Sequence, residues 1–400
     1  MKQIIYNIEL KNTTPFKVGN DEIEGTLKLR DVSKQYVLFG SSVAGALRKR
    51  LVNHKELLDL LGSENESKES RVKVSDLVCT KREVPIYVRD GIKIDYSKGV
   101  VENGAKYLTY FLEEEEAFEM SLSIDKASGN EELIFKKLID EIQVLSKQKE
   151  LSFGGDQTKG FGQVEILQIK RTETNLTNFA SVEKVISIER NSKTQDFTHM
   201  VFTAKILDSL LIGGQNEITG DNEIKVDVSY SENGIYKIPS STIKGSMRSF
   251  IAKISEDETV GMLFGSSTSK GIMKFFDAKL ENTTKQIYHR IKINRMTNGV
   301  VERALLREAR RISNREDESN LSITLMVERQ TLNSEIFKNI LLYFRDLSSG
   351  RIAIGSNESV GCGRLIGMNL EIDGEKYLCS EEGFPKETVC KLNELLRRYG

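Results

Sequence analysis

The chain repeats itself once, and this constrains its fold more than any other feature. SSVAGALR at 41–48 returns as STIKGSMR at 241–248, a shift of 200, and FGGDQTKGFGQV at 153–164 returns as IGSNESVGCGRL at 354–365, a shift of 201. Between these, IKIDYSKGVV at 92–101 is matched by IKINRMTNGVV at 291–301, VSDL at 74 by FFDA at 275, and IFKK at 134 by IFKN at 336. Landmarks recurring in one order at a nearly constant offset describe a duplicated domain, because the period is far too long for a solenoid. The first copy is expected at 1–172 and the second at 198–375. A polar stretch without glycine or proline, 173–197, reads as the linker, and 376–400 as a tail. Within the tail, PKETVCKLNELLRRY reads as a helix with proline at its start and arginines in its last turn.

Length and composition agree with two globular domains: 400 residues, 38% apolar and 29% charged. No segment approaches the roughly 20 apolar residues of a membrane span, so no membrane partner is expected. The opening MKQIIYNIEL alternates like a strand and has no signal-peptide core, which points to the cytoplasm. Cys79, Cys362, Cys379 and Cys390 form no CxxC pair, and His54, His199 and His289 are far apart; neither a zinc site nor a disulfide framework is expected. A net charge of −1 argues against loose polyanion binding. It leaves room for a confined basic groove, because screening limits each charge to about 10 Å.

Each copy opens with an alternating strand (IIYNIEL; MVFTAKIL), followed by a glycine turn and a helix that starts at small hydroxyl residues. A second strand, an amphipathic helix (Ile134, Leu138, Ile142 and Leu145 in the first copy) and a glycine-rich loop leading into a last strand complete it. Strand–helix–strand twice over is the ferredoxin-like (RRM-like) α+β plan. Polar excursions at 62–95 and 281–311 are long enough to protrude as thumb insertions.

Four motifs are candidates for function. The glycine loops hold Gly154, Gly155, Gly160 and Gly162 with Lys159 in the first copy, and Gly355, Gly361 and Gly363 with Asn357 in the second. Glycine lets a backbone approach a ligand closely, although a purely structural hairpin explains these loops equally well. The hydroxyl-led helices carry Ser41, Ser42, Arg48 and Lys49, then Ser240, Ser241, Lys244 and Arg248. Serine at a helix start caps amides, and the helix dipole attracts phosphate; solvated surface cations are the plainer alternative. The excursion of the second copy carries His289, Arg290, Arg295, Arg303, Arg307, Arg310 and Arg311, and that of the first pairs Arg82, Arg89 and Lys93 with Tyr87 and Tyr96. Basic residues beside rings suit a single nucleic-acid strand, whereas the interspersed Glu302 and Glu308 suit a salt-bridged helix face. Finally, DNEIKVD places Asp221 in a loop before the second hydroxyl-led helix, where a carboxylate either holds Mg²⁺ or simply makes a turn.

In this order the landmarks resemble the RAMP superfamily, and more narrowly the backbone subunits of type III CRISPR effector complexes. Those proteins carry a variable ID-x-P-V-x-x-D loop, IPGSSLKGxLR, an LFG turn, V-R-I-D-R-x-T-G-x-A and a terminal G-G-x-x-x-x-G-x-G loop. The second copy has DNEIKVD, IPSSTIKGSMR, LFGSS, IKINRMTNGVV and IGSNESVGCG, and the first has GTLKLRD, LFGSSVAGALR, LLGS, IKIDYSKGVV and FGGDQTKGFG. The resemblance implies that each copy grips the CRISPR guide RNA through the loop, helix and thumb residues named above. It also implies other type III effector subunits as partners, and a divalent metal, Mg²⁺, with which an aspartate cuts single-stranded target RNA. By position that catalytic and metal-holding residue is Asp221. Gly25 stands there in the first copy, where only Asp21 or Glu24 could substitute, and Ser240 replaces the family's usual glycine. Two readings compete with this one: a guide-binding scaffold without chemistry, and a guide-processing endoribonuclease using His289 as acid–base without metal.

Overall fold

Strict alternation makes the two opening segments core-facing strands. In the computed structural model they are β1 (Lys2–Asn12), which buries Ile4, Tyr6, Ile8 and Leu10, and β5 (Phe197–Ile206), which buries Met200, Phe202, Ala204 and Ile206. The structure describes residues 2–19, 26–30, 32–62, 69–95, 100–178, 180–187, 196–213, 215–219, 224–266, 269–314 and 318–399. It divides into two units, Met1–Lys93 with Asn103–Asp196, and Ile94–Glu102 with Phe197–Gly400.

In the first unit β1 is followed by α1 (Gly40–Arg50), β2 (Leu77–Cys79), β3 (Ala117–Ala127), α2 (Gly129–Lys147) and β4 (Val164–Asn175). These strands lie in the order β4-β1-β3-β2, all antiparallel. In the second unit β5 is followed by α3 (Ser240–Ile251), β6 (Met273–Phe275), β7 (Leu321–Glu328), α4 (Ser334–Ser348) and β8 (Arg364–Ile372), in the order β8-β5-β7-β6. Both are the ferredoxin-like arrangement, so each unit has the α+β fold read from the sequence. The duplication extends to an irregularity. The β1–β4 register jumps from Glu9↔Gln168 to Leu10↔Ile166, and the β5–β8 register from Thr203↔Asn369 to Ala204↔Gly367. The extra residues, Leu167 and Met368, are 201 apart, and bulges of this kind are retained features of a fold rather than defects.

The helices bury one face each. From α2 come Phe135, Leu138, Ile139, Ile142 and Leu145, and from α4 Ile336, Phe337, Ile340, Phe344 and Leu347. Phe135 takes the central place that the sequence periodicity gave to Ile134, which is only partly buried. A capping box starts α2: the Ser128 hydroxyl accepts from the Glu131 amide at 3.3 Å, and the Glu131 carboxylate accepts from the Ser128 amide at 2.9 Å.

Three expectations need correction. The excursion read at 62–95 contains β2, which belongs to the sheet; the first arm is instead the strand pair Tyr87–Asp95 and Val100–Leu112, rooted in the first unit through the pairing of Phe16–Val18 with Tyr110–Leu112. The arginine-rich run of the second copy is not a helix face: Thr283–Ile293 and Val300–Ser313 form a β-hairpin arm. Part of the stretch read as linker is sheet, since β4 runs to Asn175 and Ser181–Ile186 pairs along it. The C-terminal helix is Lys386–Leu396; its Leu392 and Leu395 join the core of the second unit, and the Tyr399 ring lies 4.8 Å from that of Phe337. No helix among the described residues is long and apolar enough to cross a membrane.

Phe202 is fully buried, with its ring stacked 5.2 Å from that of Phe344. Phe202→Ala is expected to cost about 3–5 kcal/mol in urea unfolding of the second unit. A loss below about 1 kcal/mol would contradict this packing.

Candidate nucleic-acid interface

The two glycine loops are the same structure built twice. Gly154, Asp156, Gly160 and Gly162 take φ of 83°, 55°, 77° and 77°; Gly355, Asn357, Gly361 and Gly363 take 105°, 65°, 85° and 83°. Each loop winds one 3₁₀ turn, Gln157–Lys159 or Glu358–Val360. The last glycine has no room for a side chain: a Cβ on Gly162 would sit 1.9 Å from the Phe153 carbonyl oxygen, and one on Gly363 2.2 Å from that of Ile354. Their amides are committed too, Gly162 donating to the Pro15 carbonyl at 2.8 Å and Gly363 to that of Ser209 at 2.7 Å. At Gly361, by contrast, a side chain would meet nothing within 4 Å, so that glycine answers only to its φ. The structural reading accounts for Gly162 and Gly363; of the polar residues between the glycines, Lys159 lies over the Tyr107 ring and Asn357 meets Arg290 and Glu308, whereas the Gln157 side chain bonds back to the Ser152 and Gly154 carbonyls.

The hydroxyl-led helices differ from expectation in how they are capped. The N-cap residues are Phe39 and Pro239, and neither offers a side-chain oxygen. Instead the Asp76 carboxylate accepts from the Gly40 amide at 2.8 Å, and the Asp277 carboxylate from the Ser240 amide at 2.7 Å. An anion therefore already occupies the first amide of each helix, where the dipole would attract a phosphate. Ser240 is fully buried, Ser42 and Ser241 are partly exposed, and Ser41 and Lys49 are exposed. Arg48 donates to the Leu61 carbonyl from Nε and Nη2 at 3.1 and 2.6 Å, closing the helix Lys55–Leu61. Lys244 and Arg248 are partly buried and engaged by neighbouring groups.

The arms reveal a match the motif comparison missed: IYVR at 86–89 returns as IYHR at 287–290, a shift of 201. Arg89 is only 5% exposed and lies 5.1 and 5.5 Å from the ring centres of Phe111 and Phe161. Arg290 pairs with the Glu308 carboxylate and donates to the Asn357 side chain at 3.2 Å. Of the basic run, Arg310 and Arg311 are structural. Arg310 is held by Glu308 at 2.8 Å and lies over the Tyr288 ring; Arg311 bonds Thr283 at 3.1 Å and lies over the Tyr236 ring. His289 (opposite Arg307), Lys292 and Arg295 remain exposed. With them are the uncovered apolar residues Ile287, Ile291, Ile293, Val300, Leu305, Leu306 and Met296, the last 92% exposed.

Asp221, Asp21 and Glu24 lie outside the described residues. In sequence Asp221 falls between Gln215–Thr219 and Ile224–Val228, an antiparallel pair, and Asp227 of the second strand pairs in parallel with Glu308 of the arm. Among the described residues, no group of three or more His, Cys, Asp and Glu side chains could hold a metal ion.

Burial alone would raise the Asp156 carboxyl, but Lys159 and Lys17 outweigh it and hold it below its ordinary value. Burial likewise opposes ionisation of Glu308, and Arg310 and Arg290 prevail.

A family model for the RAMP superfamily matches residues 9–165 and 203–366. Two tandem ferredoxin-like domains, each with a glycine loop beneath a β-arm, define the class, and the chain belongs to the RAMP superfamily. Among solved structures, it is similar to a chain from the cryo-EM structure of the Type III-B Cmr-beta bound to cognate target RNA, at 17% identity and a TM-score of 0.34. That match covers 44% of this chain and 61% of the other. No curated protein matches.

Two outcomes are expected. Gly363→Ala, which forces a carbonyl contact as well as a left-handed residue, should lower the unfolding midpoint clearly more than Gly361→Ala, which costs roughly 1–2 kcal/mol for φ alone; equal losses would refute the close approach. Because Asp156 and Glu308 are held low when folded, their contribution is complete above the unfolded-state values near about 4 and disappears as pH falls through the folded ones. Asp156→Asn with Glu308→Gln should therefore flatten the acid limb of stability against pH, and an unchanged limb would count against both pairings.

Proposed function

We propose that the chain is a CRISPR guide-RNA-binding backbone subunit of a type III effector complex, in which each unit contributes one arm and one glycine loop to the strand. The observation that supports this best is the exposed arm of the second unit. The arm lies in a four-stranded sheet with Gln215–Thr219 and Ile224–Val228, and it displays a run of apolar side chains beside His289, Lys292 and Arg295. Apolar side chains that wedge or stack against bases, with cations to follow phosphates, are the chemistry of a single-stranded nucleic-acid surface. Membership of the RAMP superfamily and the ordered motifs of both copies point the same way. Paired target RNA and the other effector subunits are the further partners of this reading.

Cleavage of the target is assigned to the second unit, at Asp221. By its place in the sequence Asp221 would be the residue that holds a Mg²⁺ ion. The ion would supply activation of the attacking oxygen and neutralisation of charge at phosphorus. The protein's own part is to hold the strand by arm and glycine loop so that the scissile linkage lies at Asp221. The scaffold reading differs only in lacking this step.

In the assembled complex with Mg²⁺, Asp221→Ala should reduce cleavage of a matched target RNA by about 100-fold or more while the guide still co-purifies. Undiminished cleavage would leave the scaffold reading, and absence of RNA from the purified wild-type chain would sink both.

A further inference from the structure

The arm and the loop meet in both units through a carboxylate set between two cations, but the carboxylate comes from opposite sides. In the second unit Glu308, on the arm, pairs with Arg290 and receives Arg310 at 2.8 and 3.0 Å and the Asn357 side-chain amide at 3.0 Å; Arg290 in turn donates to Asn357 at 3.2 Å. In the first unit Asp156, on the loop, binds Lys17 at 2.8 Å and lies 3.7 Å from Lys159. Lys17 sits on a short strand, Phe16–Val18, paired to the arm strand through Lys17↔Phe111, and Lys159 lies over the ring of Tyr107 on the same arm strand. Asp156 and Asn357 are 201 residues apart and take the same place in the two glycine loops.

We infer that Glu308 and Asp156 are positioning residues: each clasps its arm to its glycine loop so that the two meet RNA as one rigid surface. What the clasp requires is one carboxylate between cations, on either side of the crevice. The loop position tolerates both chemistries, because Asp156 and Asn357 hold the same left-handed conformation, with φ of 55° and 65°. The part of this inference that concerns RNA rests on the guide-binding reading; the clasp itself does not.

The test uses the full chain. In Glu308→Gln without RNA, hydrogen exchange of the amides at 283–293 and at 354–363 should accelerate together, by about tenfold, the scale of one charge-assisted hydrogen bond. Adding Asn357→Asp, which moves the carboxylate to the side it occupies in the first unit, should restore the slow exchange. Asp156→Asn should loosen 153–162 together with the first arm, and this second variant keeps the idea testable should Glu308→Gln not fold. Unchanged exchange, acceleration of the arm alone, or no rescue by Asn357→Asp would overturn the clasp.

Binding of a labelled single-stranded oligouridylate separates positioning from simple charge. Glu308→Gln makes the chain one charge more positive, which would tighten binding if the carboxylate merely competed with phosphate. Positioning predicts several-fold weaker binding, reversed by Asn357→Asp; tighter binding would overturn it. If the wild-type chain did not bind the oligonucleotide at all, the guide-binding reading would fail, while hydrogen exchange would still decide the clasp.

Discussion

The backbone of each glycine loop folds back on itself so closely that no Cβ fits between Gly162 and the Phe153 carbonyl, or between Gly363 and that of Ile354. The rest of the site depends on this contact. It turns the chain through a 3₁₀ turn into the last core strand, and it leaves one left-handed polar residue, Asp156 or Asn357, facing the arm. That residue then meets Lys17, on a strand paired to the first arm, or Arg290 and Glu308 of the second arm, and the exposed apolar and basic side chains farther along acquire a fixed base. Sheet, loop and arm are therefore one chain of cause, running from a steric constraint to an electrostatic one.

The duplicated ferredoxin-like fold was legible because each level of the sequence agreed with the next. Period-two opening strands, a period-3.6 helix and glycines at left-handed positions occur in both copies in the same order. What stayed hidden depends on distance along the chain. Serines at a helix start suggested local caps, but the caps are Asp76 and Asp277, supplied from 36 and 37 residues away. Arg48, read from the sequence as a phosphate ligand, closes a helix through the Leu61 carbonyl. Local propensity cannot report which distant group satisfies a helix end.

The arms show the same limit from the other direction. A run of arginines and glutamates fits an amphipathic helix by charge spacing, yet it folds as a strand with Glu308, Arg310 and Arg290 drawn to one side and toward Asn357. The tyrosine and arginine shared by IYVR and IYHR were visible in the sequence, but only the structure shows that Arg89 rests against rings whereas Arg290 rests on a carboxylate. The two units thus reached the same junction with different residues, as expected of copies free to diverge once the geometry was fixed by the loop.

The central claim is that both arm–loop surfaces engage a single RNA strand. Ultraviolet crosslinking of the chain purified with its bound RNA, followed by mass spectrometry of the crosslinked peptides, tests this most directly. The account predicts adducts in both arms, within 87–112 and 283–313, and in or beside both glycine loops. Adducts confined to one unit, or spread over the open faces of the sheets and absent from the arms, would contradict it.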